Sequence, residues 1–336
     1  MHNQEPGPNP PTVAPTRQLD PPREEAPHAL PVAARARSVD DEEGPAARSA
    51  SWWRMVLGHL IHDGRAMVGL VMLALVAIVV IFAPLIAQYG PDTINATALN
   101  EGPSWQHWCG TDNLGRDLLS RLLYGGRISV PAGLGVVAIA AGLGIPMGVA
   151  AGYGGRFLDD ALMRLVDLVL AIPALLLAIG IVSILGPGLE SVVIAFGIAF
   201  IPSFARVARG TTLQVRSLDY VEAARAQGAG NVWTIRKHIL PTVFDSLIVL
   251  SSLNLGSAIL ATAALSFLGL GTQLPTSDWG TLLSVGYENM FESSSEMIFP
   301  GLALVITVVG INFLGDGLAS ALNPRVASLR NAGRTS

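Results

Sequence analysis

The sequence predicts an all-α integral membrane protein with six membrane-spanning helices behind a disordered N-terminal tail. Three observations lead there. The 336 residues are 51% hydrophobic and only 14% charged, with mean hydropathy +0.49, whereas soluble domains carry about 25% charged residues. Six apolar stretches reach the roughly 20 residues needed to cross about 30 Å of hydrocarbon. Charge is distributed unevenly, with 13 of the 46 charged residues in the first 50 positions.

Residues 1–50 are rich in Pro, Ala, Glu and Arg and nearly free of large apolar side chains. Such a segment cannot bury enough surface to offset its chain entropy and reads as a disordered tail. It has no apolar core with a small-residue cleavage site, so it does not read as a signal peptide. The expected spans follow at 66–87, 128–152, 162–185, 188–208, 243–272 and 296–320, the fifth running into a loop after Gly269. This divides the chain into a tail (1–50), a first span with an external segment (51–125), a core of five spans (126–323) and a short C-terminal tail (324–336). Gly144, Gly148 and Gly152 repeat at four-residue spacing, which lets two helix backbones approach closely. Pro146, Pro173 and Pro202 fall within spans and are expected to kink them.

Arginine sets the orientation. With the N-terminus cytoplasmic, Arg54, Arg65, Arg156, Arg164, Arg206, Arg209, Arg216, Arg225, Arg236, Lys237, Arg325, Arg330 and Arg334 fall inside. Only Arg116, Arg121 and Arg127 then fall outside. The chain is therefore expected to be multi-pass in the cell membrane with both termini cytoplasmic.

Between the fourth and fifth spans lies DYVEAARAQGAGNVWTIRKHILP (219–241), too charged for lipid and too helix-favouring for a plain loop. Asp219 can cap a helix, with Glu222 reaching back to complete a capping box. Ala223, Ala224 and Ala226 continue it, and Gly228 or Gly230 can end it in the left-handed conformation. Asn231 can cap a second short helix, with Arg236 and Lys237 favourable near its C-terminus and Pro241 opening the fifth span. The residues thus describe a helical hairpin on the cytoplasmic face. It is either a surface that docks into a partner's groove or an interfacial connector between spans.

The hairpin resembles the EAA motif of ATP-binding-cassette importer permeases: Glu222-Ala223-Ala224, three residues, Gly228, then Leu240-Pro241. The general pattern has Ile two residues before Leu-Pro, where this chain has His238; that departure resembles the peptide-permease branch. CGTDNLGRDLLSRLLYGGRISV (109–130), GYGGRFLDDALMRLVDLVLAIPALLLAI (152–179) and ALSFLGLGTQLPTSDWGTLL (264–283) are similar to the C-type permeases of dipeptide, oligopeptide and nickel importers. The likeness spans roughly 52–325. It implies a type I importer transmembrane domain whose hairpin is the coupling helix, inserted into a cleft of a cytoplasmic ATPase. It also implies a homologous second permease, two ATPase subunits that bind ATP and Mg, and an extracellular substrate-binding protein. The chain itself would hold no cofactor. The implied cargo is di- or oligopeptide, with nickel or another small solute as the alternative. A secondary transporter is the rival class, but no half-to-half repeat or midplane carboxylate pair supports it.

Other polar residues allow two readings each. Asp112, Arg116, Asp117, Arg121 and Arg127 precede the second span. They form either a surface for the binding protein or an interfacial helix pinned by its own pairs, such as Asp117 with Arg121. Asp160, Arg164 and Asp167 share a face where the third span begins and form either a structural network paired among themselves or a proton relay, and Asp316 near the end of the sixth span has the same two readings, the structural one favoured for both. Ser251, Ser252, Asn254 and Asn312 could line a pathway for peptide backbones or hydrogen-bond between helices.

Several classes are excluded or disfavoured. Lys237 is the only lysine and follows Arg236, so no phosphate-binding G-x-x-x-x-G-K-[ST] loop exists, and any ATPase must be another polypeptide. A single cysteine, Cys109, rules out an intrachain disulfide. His59 and His62 have no evident further ligands, so no metal site is expected, and no catalytic motif or nucleic-acid-binding feature is present.

Overall fold

The computed structural model describes residue 58 and residues 60–322. The expected tails, with Arg54, His59, Arg325, Arg330 and Arg334, lie outside the described residues. Within them the fold is helical, without β-strands. Five helices are long and apolar enough to cross a membrane, and six spans result if one sharply bent pair counts as a single span.

The first span, α1 (Gly64–Ile81), is capped by Asp63, whose carboxylate accepts from the Arg65 amide at 3.0 Å. Gly69 lets it lie directly on the last helix: a Cβ there would sit 2.8 Å from the Gly310 carbonyl oxygen. Its other faces carry exposed Val71, Leu75, Ile78 and Ile81, as a lipid-facing helix requires. A single turn, α2 (Ala83–Ile86), leads into an irregular connection up to Asp117.

The second span, α3 (Leu118–Tyr153), begins ten residues before the expected start. Asp117 caps it, accepting from the Ser120 amide at 2.8 Å, which explains the earlier start. The expected division at 125/126 therefore falls inside a helix. The Gly144, Gly148 and Gly152 stripe does what its spacing predicts. A Cβ at Gly148 would meet the Ala205 carbonyl oxygen at 2.3 Å, and one at Gly152 the Thr212 Cβ at 2.7 Å. The order of these contacts shows that α3 runs parallel to α6 (Leu189–Arg216).

The expected third span at 162–185 is broken. It consists of α4 (Arg156–Leu170) and α5 (Ala174–Leu185), bent by 88°. Pro173 lacks an N–H and disfavours helical geometry in the residue before it, so the helix stops at Ala171–Ile172. Only Pro173 of the three expected kink sites interrupts a helix; Pro146 and Pro202 lie within continuous ones.

After the short helix α7 (Asp219–Ala226), the fifth span, α8, runs unbroken from Asn231 to Phe267, twelve residues earlier than expected. Ile235–Ile239 form a π-helical turn in which the Leu240 N–H reaches back five residues to Ile235. Pro241 cannot bond the carbonyl four residues back, and the widened turn absorbs that defect. A buried helix, α9 (Trp279–Glu288), follows where a loop was expected, and α10 (Ser295–Leu322) closes the bundle. Phe196, Val136, Val182 and Leu265 form one core among α3, α5, α6 and α8. Ile259, Trp279, Leu304 and Ile311 form another among α8, α9 and α10.

Candidate functional site

In the hairpin at 219–241, α7 is anchored by Val221, fully buried in a cluster with Phe204, Val215, Ile239 and Val243. That single apolar anchor leaves Glu222, Ala223, Arg225, Ala226 and Gly228 exposed on the opposite face, with Ala224 half-buried. Gly228 has φ +91 and ends α7. The Gly228 N–H donates to Arg225 at 2.9 Å and the Ala229 N–H to Ala224 at 3.1 Å, a Schellman-type closure. A Cβ at Gly228 would have nothing within 4 Å, so the glycine answers a backbone requirement of this chain and not a packing one.

Two details differ from the sequence reading. The capping box does not form: Leu218 occupies the N-cap without a side-chain bond, Asp219 is already helical, and Glu222 is free in solvent. Both carboxylates still lie in the first turn, where they favour the helix dipole. Nor does Asn231 cap a separate second helix. It starts α8, and its Oδ1 accepts from the Tyr153 hydroxyl at 3.1 Å. Arg225 lies 5.4 Å over the Tyr153 ring, so Tyr153 braces both arms of the hairpin. His238 is edge-on to Tyr220 at 5.4 Å and to Trp233 at 5.1 Å, fixing α7 against the start of α8. Leu240 is half-buried and Pro241 exposed at the π-to-α transition.

The same end of the bundle carries a charged contact that was expected to form within α4. Asp160, Arg164 and Asp167 do not pair with one another. Asp167 instead accepts from Arg206 at 2.7 Å, and Asp159 takes Arg209 in a two-pronged pair, its Nη2 at 2.6 Å. The cause is the bend: α4 leaves the span direction and lays its acidic face on the arginines of α6. Asp160 has a loose 3.9 Å contact with exposed Arg156.

At the opposite end, Asp112, Arg116, Asp117 and Arg121 are buried and form a network. Asp112 accepts from Arg116 Nε at 2.6 Å and from Arg121 Nη1 at 3.4 Å, and Arg121 Nη2 donates to Ser277. The expected Asp117–Arg121 pair is absent. Asp117 faces His107 Nδ1 at 2.9 Å and caps α3, because residues before Leu118 are not helical. Cys109 is buried nearby, and burial first, Asp117 second, push its thiol up to about 11. Asp278 joins this region to the core. It caps α9 and accepts from Ser266 and Thr272, both at 2.7 Å. Trp279 Nε1 donates to the Leu122 carbonyl at 2.9 Å. Sequence reasoning missed α9; the signal was Asp278 followed three residues later by Thr281, whose amide it receives at 2.8 Å.

The four expected pathway residues lie on two helices in contact, Ser251, Ser252 and Asn254 on α8 and Asn312 on α10. Ser252 and Asn254 donate to the Val249 and Leu250 carbonyls of their own helix. Ser252 and Asn312 lie along the α8–α10 contact, beside Gly315 and Gly256 respectively. Ser251 is half-buried. Asp316 is exposed without an ion pair among the described residues.

Residues 144–328 match the family described as the binding-protein-dependent transport system inner membrane component. Residues 51–103 match the N-terminal transmembrane domain of oligopeptide transport permease C. A dipeptide transport system permease of Alkalihalophilus pseudofirmus is 40% identical over 280 residues, covering 83% of this chain and 92% of its own. A glutathione transport system permease of Pectobacterium atrosepticum is 44% identical over 261 residues, 77% of this chain and 86% of its own. The solved inward-facing MetNI methionine ABC transporter contains a chain that superposes with TM-score 0.51. At 21% identity it covers 61% of this chain and 96% of that one, a likeness of fold.

Proposed function

This chain belongs to the binding-protein-dependent inner-membrane permeases of ABC importers, and from that premise we propose that it forms the translocation pathway for di- or oligopeptides. The observation that carries the reading is the hairpin: a short Ala-rich helix pinned by one buried valine, with its motif face turned to solvent. The relatives are described as dipeptide and glutathione permeases, and both cargoes are peptides. Nothing favours nickel or an ion-coupled mechanism over this.

The assembly contains a homologous second permease, two cytoplasmic ATPases that bind ATP and Mg, and an extracellular binding protein. Arginine asymmetry supports cytoplasmic termini and puts the hairpin on the ATPase side. Glu222, Ala223, Ala224 and Gly228 meet the ATPase, while Leu240 and Pro241 join the hairpin to α8. Closing of the ATPases on ATP moves the hairpin, and because α8 begins within it and runs unbroken to Phe267, the span moves with it. The bundle then favours the outward-open state through differential binding of the ATPases to the two conformations. Ser251, Ser252, Asn254 and Asn312 contribute neutral donors and acceptors along the path.

The test is reconstitution of the complete importer with Glu222→Ala. Exposed Glu222 caps nothing, so the variant inserts and folds normally, yet substrate-stimulated ATP hydrolysis falls. Full stimulation at normal expression would reduce the hairpin to a connector.

A further inference from the structure

At the end of the bundle opposite the hairpin, the N-terminal parts of α3 and α6 line an open pocket of about 500 Å³. Its walls are apolar, from Ile128, Pro131, Val193 and Ile194, and two opposite charges stand on its lining: Arg127 from α3 and Glu190 from the first turn of α6. Among the described residues neither side chain makes an ion pair or a hydrogen bond. Arg127 only rests 5.8 Å over the ring of Tyr124. Elsewhere on the same two helices, Arg121 is committed to Asp112, Arg206 to Asp167 and Arg209 to Asp159. Arg127 and Glu190 are thus exposed charges of opposite sign, sharing one pocket and unspent on each other.

Helix length places them at the membrane boundary. At 1.5 Å per residue, the 36 residues of α3 extend well beyond the roughly 30 Å of hydrocarbon. Arg127 is the tenth residue of that helix and Glu190 the second of α6, so both stand near the rim of the span. A second, smaller pocket of about 180 Å³ shares Arg127 with it and is lined also by Asp92, Arg121, Tyr124, Thr276 and Ser277.

We infer that Arg127 and Glu190 form a receiving site for the two termini of a zwitterionic peptide, the guanidinium taking the carboxylate and the carboxylate taking the ammonium. The inference rests on the peptide reading above and adds a site to it. A planar guanidinium matches a carboxylate in two parallel hydrogen bonds. A glutamate on the lining of the same apolar pocket complements an ammonium, and the apolar walls accept side chains without selecting among them. Free termini are what unmodified peptides share, so a site that reads them can stay indifferent to sequence. Both charges are solvated at the rim before the cargo arrives, which avoids the desolvation cost of a buried charge.

The test uses proteoliposomes holding the full importer with saturating binding protein loaded with labelled alanyl-alanine. Uptake is expressed per ATP hydrolysed. Arg127→Gln and Glu190→Gln should each lower it about tenfold, the equivalent of about 1.4 kcal/mol, with stimulated hydrolysis unchanged. Glu190→Asp keeps its charge and should stay within about twofold, while Arg127→Lys keeps the charge but loses the two-pronged match and should fall between wild type and Arg127→Gln. Wild-type uptake by both glutamine variants would overturn the site, and so would loss of uptake together with stimulated hydrolysis, which marks a docking or structural role. If the unaltered importer moves no peptide but carries another solute, the peptide reading itself fails and the site falls with it.

Discussion

Replacing Gly228 separates two reasons for a glycine at the centre of the hairpin. In the structure Gly228 sits at φ +91 with nothing within 4 Å of where a Cβ would point. An alanine there meets no clash, and its cost is the left-handed backbone alone, about 1–2 kcal/mol. Set against the closure bonds to Arg225 and Ala224, that cost shifts the local equilibrium away from the native turn by a factor of roughly 5–30. It is too small to unfold the bundle, because the anchor at Val221 and the bracing by Tyr153 remain. Gly228→Ala should therefore insert normally and co-purify with the ATPases at reduced yield, with substrate-stimulated hydrolysis falling by about the same factor. Asparagine tolerates the left-handed region, so Gly228→Asn should recover most of the loss. The measurements are co-purification and hydrolysis by the reconstituted importer with and without loaded binding protein. Full activity of Gly228→Ala would refute the conformational reasoning. An asparagine variant as defective as alanine would refute it too, since the demand would then come from the close approach of a partner.

Gly148→Ala forces a Cβ to within 2.3 Å of the Ala205 carbonyl oxygen and should destabilise the α3–α6 pair by about 1–3 kcal/mol. Gly142→Ala, on the same helix with nothing within 4 Å, should raise stability by up to about 1 kcal/mol; thermal unfolding in detergent compares the two. Asp112→Ala leaves the buried Arg116 and Arg121 without their shared anion and should cost about 3–5 kcal/mol, seen as a lowered melting temperature. An unchanged melting temperature would show that the network is dispensable. For Cys109, a thiol raised to about 11 is protonated at every pH below about 10, so maleimide should label the folded chain negligibly at pH 7.5 and completely after unfolding.

The helical class, the close packing through Gly144, Gly148 and Gly152, and the left-handed turn at Gly228 were legible because each follows from a local pattern. Apolar length fixes a span, a four-residue glycine repeat fixes a close helix pair, and a glycine after an alanine run fixes a helix end. Partners distant in sequence were not legible. Asp117 and Arg121 have helical spacing, yet tertiary geometry gave them other partners, His107 for Asp117 and Ser277 for Arg121, and it gave Asp167 to Arg206 across 39 positions. A spacing argument assumes that the helix continues, and here α3 starts only at Leu118 while α4 turns away by 88°. The buried α9 was hidden for a similar reason. Its ten residues are too few for a span, and its place depends on Trp279 meeting Leu122 across 157 positions.

These contacts also divide the bundle into parts that move together and parts that can move separately. Helices α3 and α6 meet backbone to backbone, and a packed glycine interface has no slack for sliding. Helix α4 is held on α6 by ion pairs at Asp159 and Asp167, buries Val166, and is joined to α5 through a proline break bent by 88°. Helix α8 links the two ends. It begins in the hairpin, and near its far end the Ala263 backbone lies against Gly280 of α9, where a Cβ would come within 2.3 Å of the Ala263 carbonyl. From α9, Trp279 reaches the Leu122 carbonyl of α3, and Asp278 ties the preceding loop into the same corner. A displacement of the hairpin thus has a contiguous route of packed backbone to the end that carries Arg127 and Glu190. Because α3 is packed on α6 through its glycines, a push on either helix is expected to tilt the pair as one body and carry the pocket between their N-terminal halves with it.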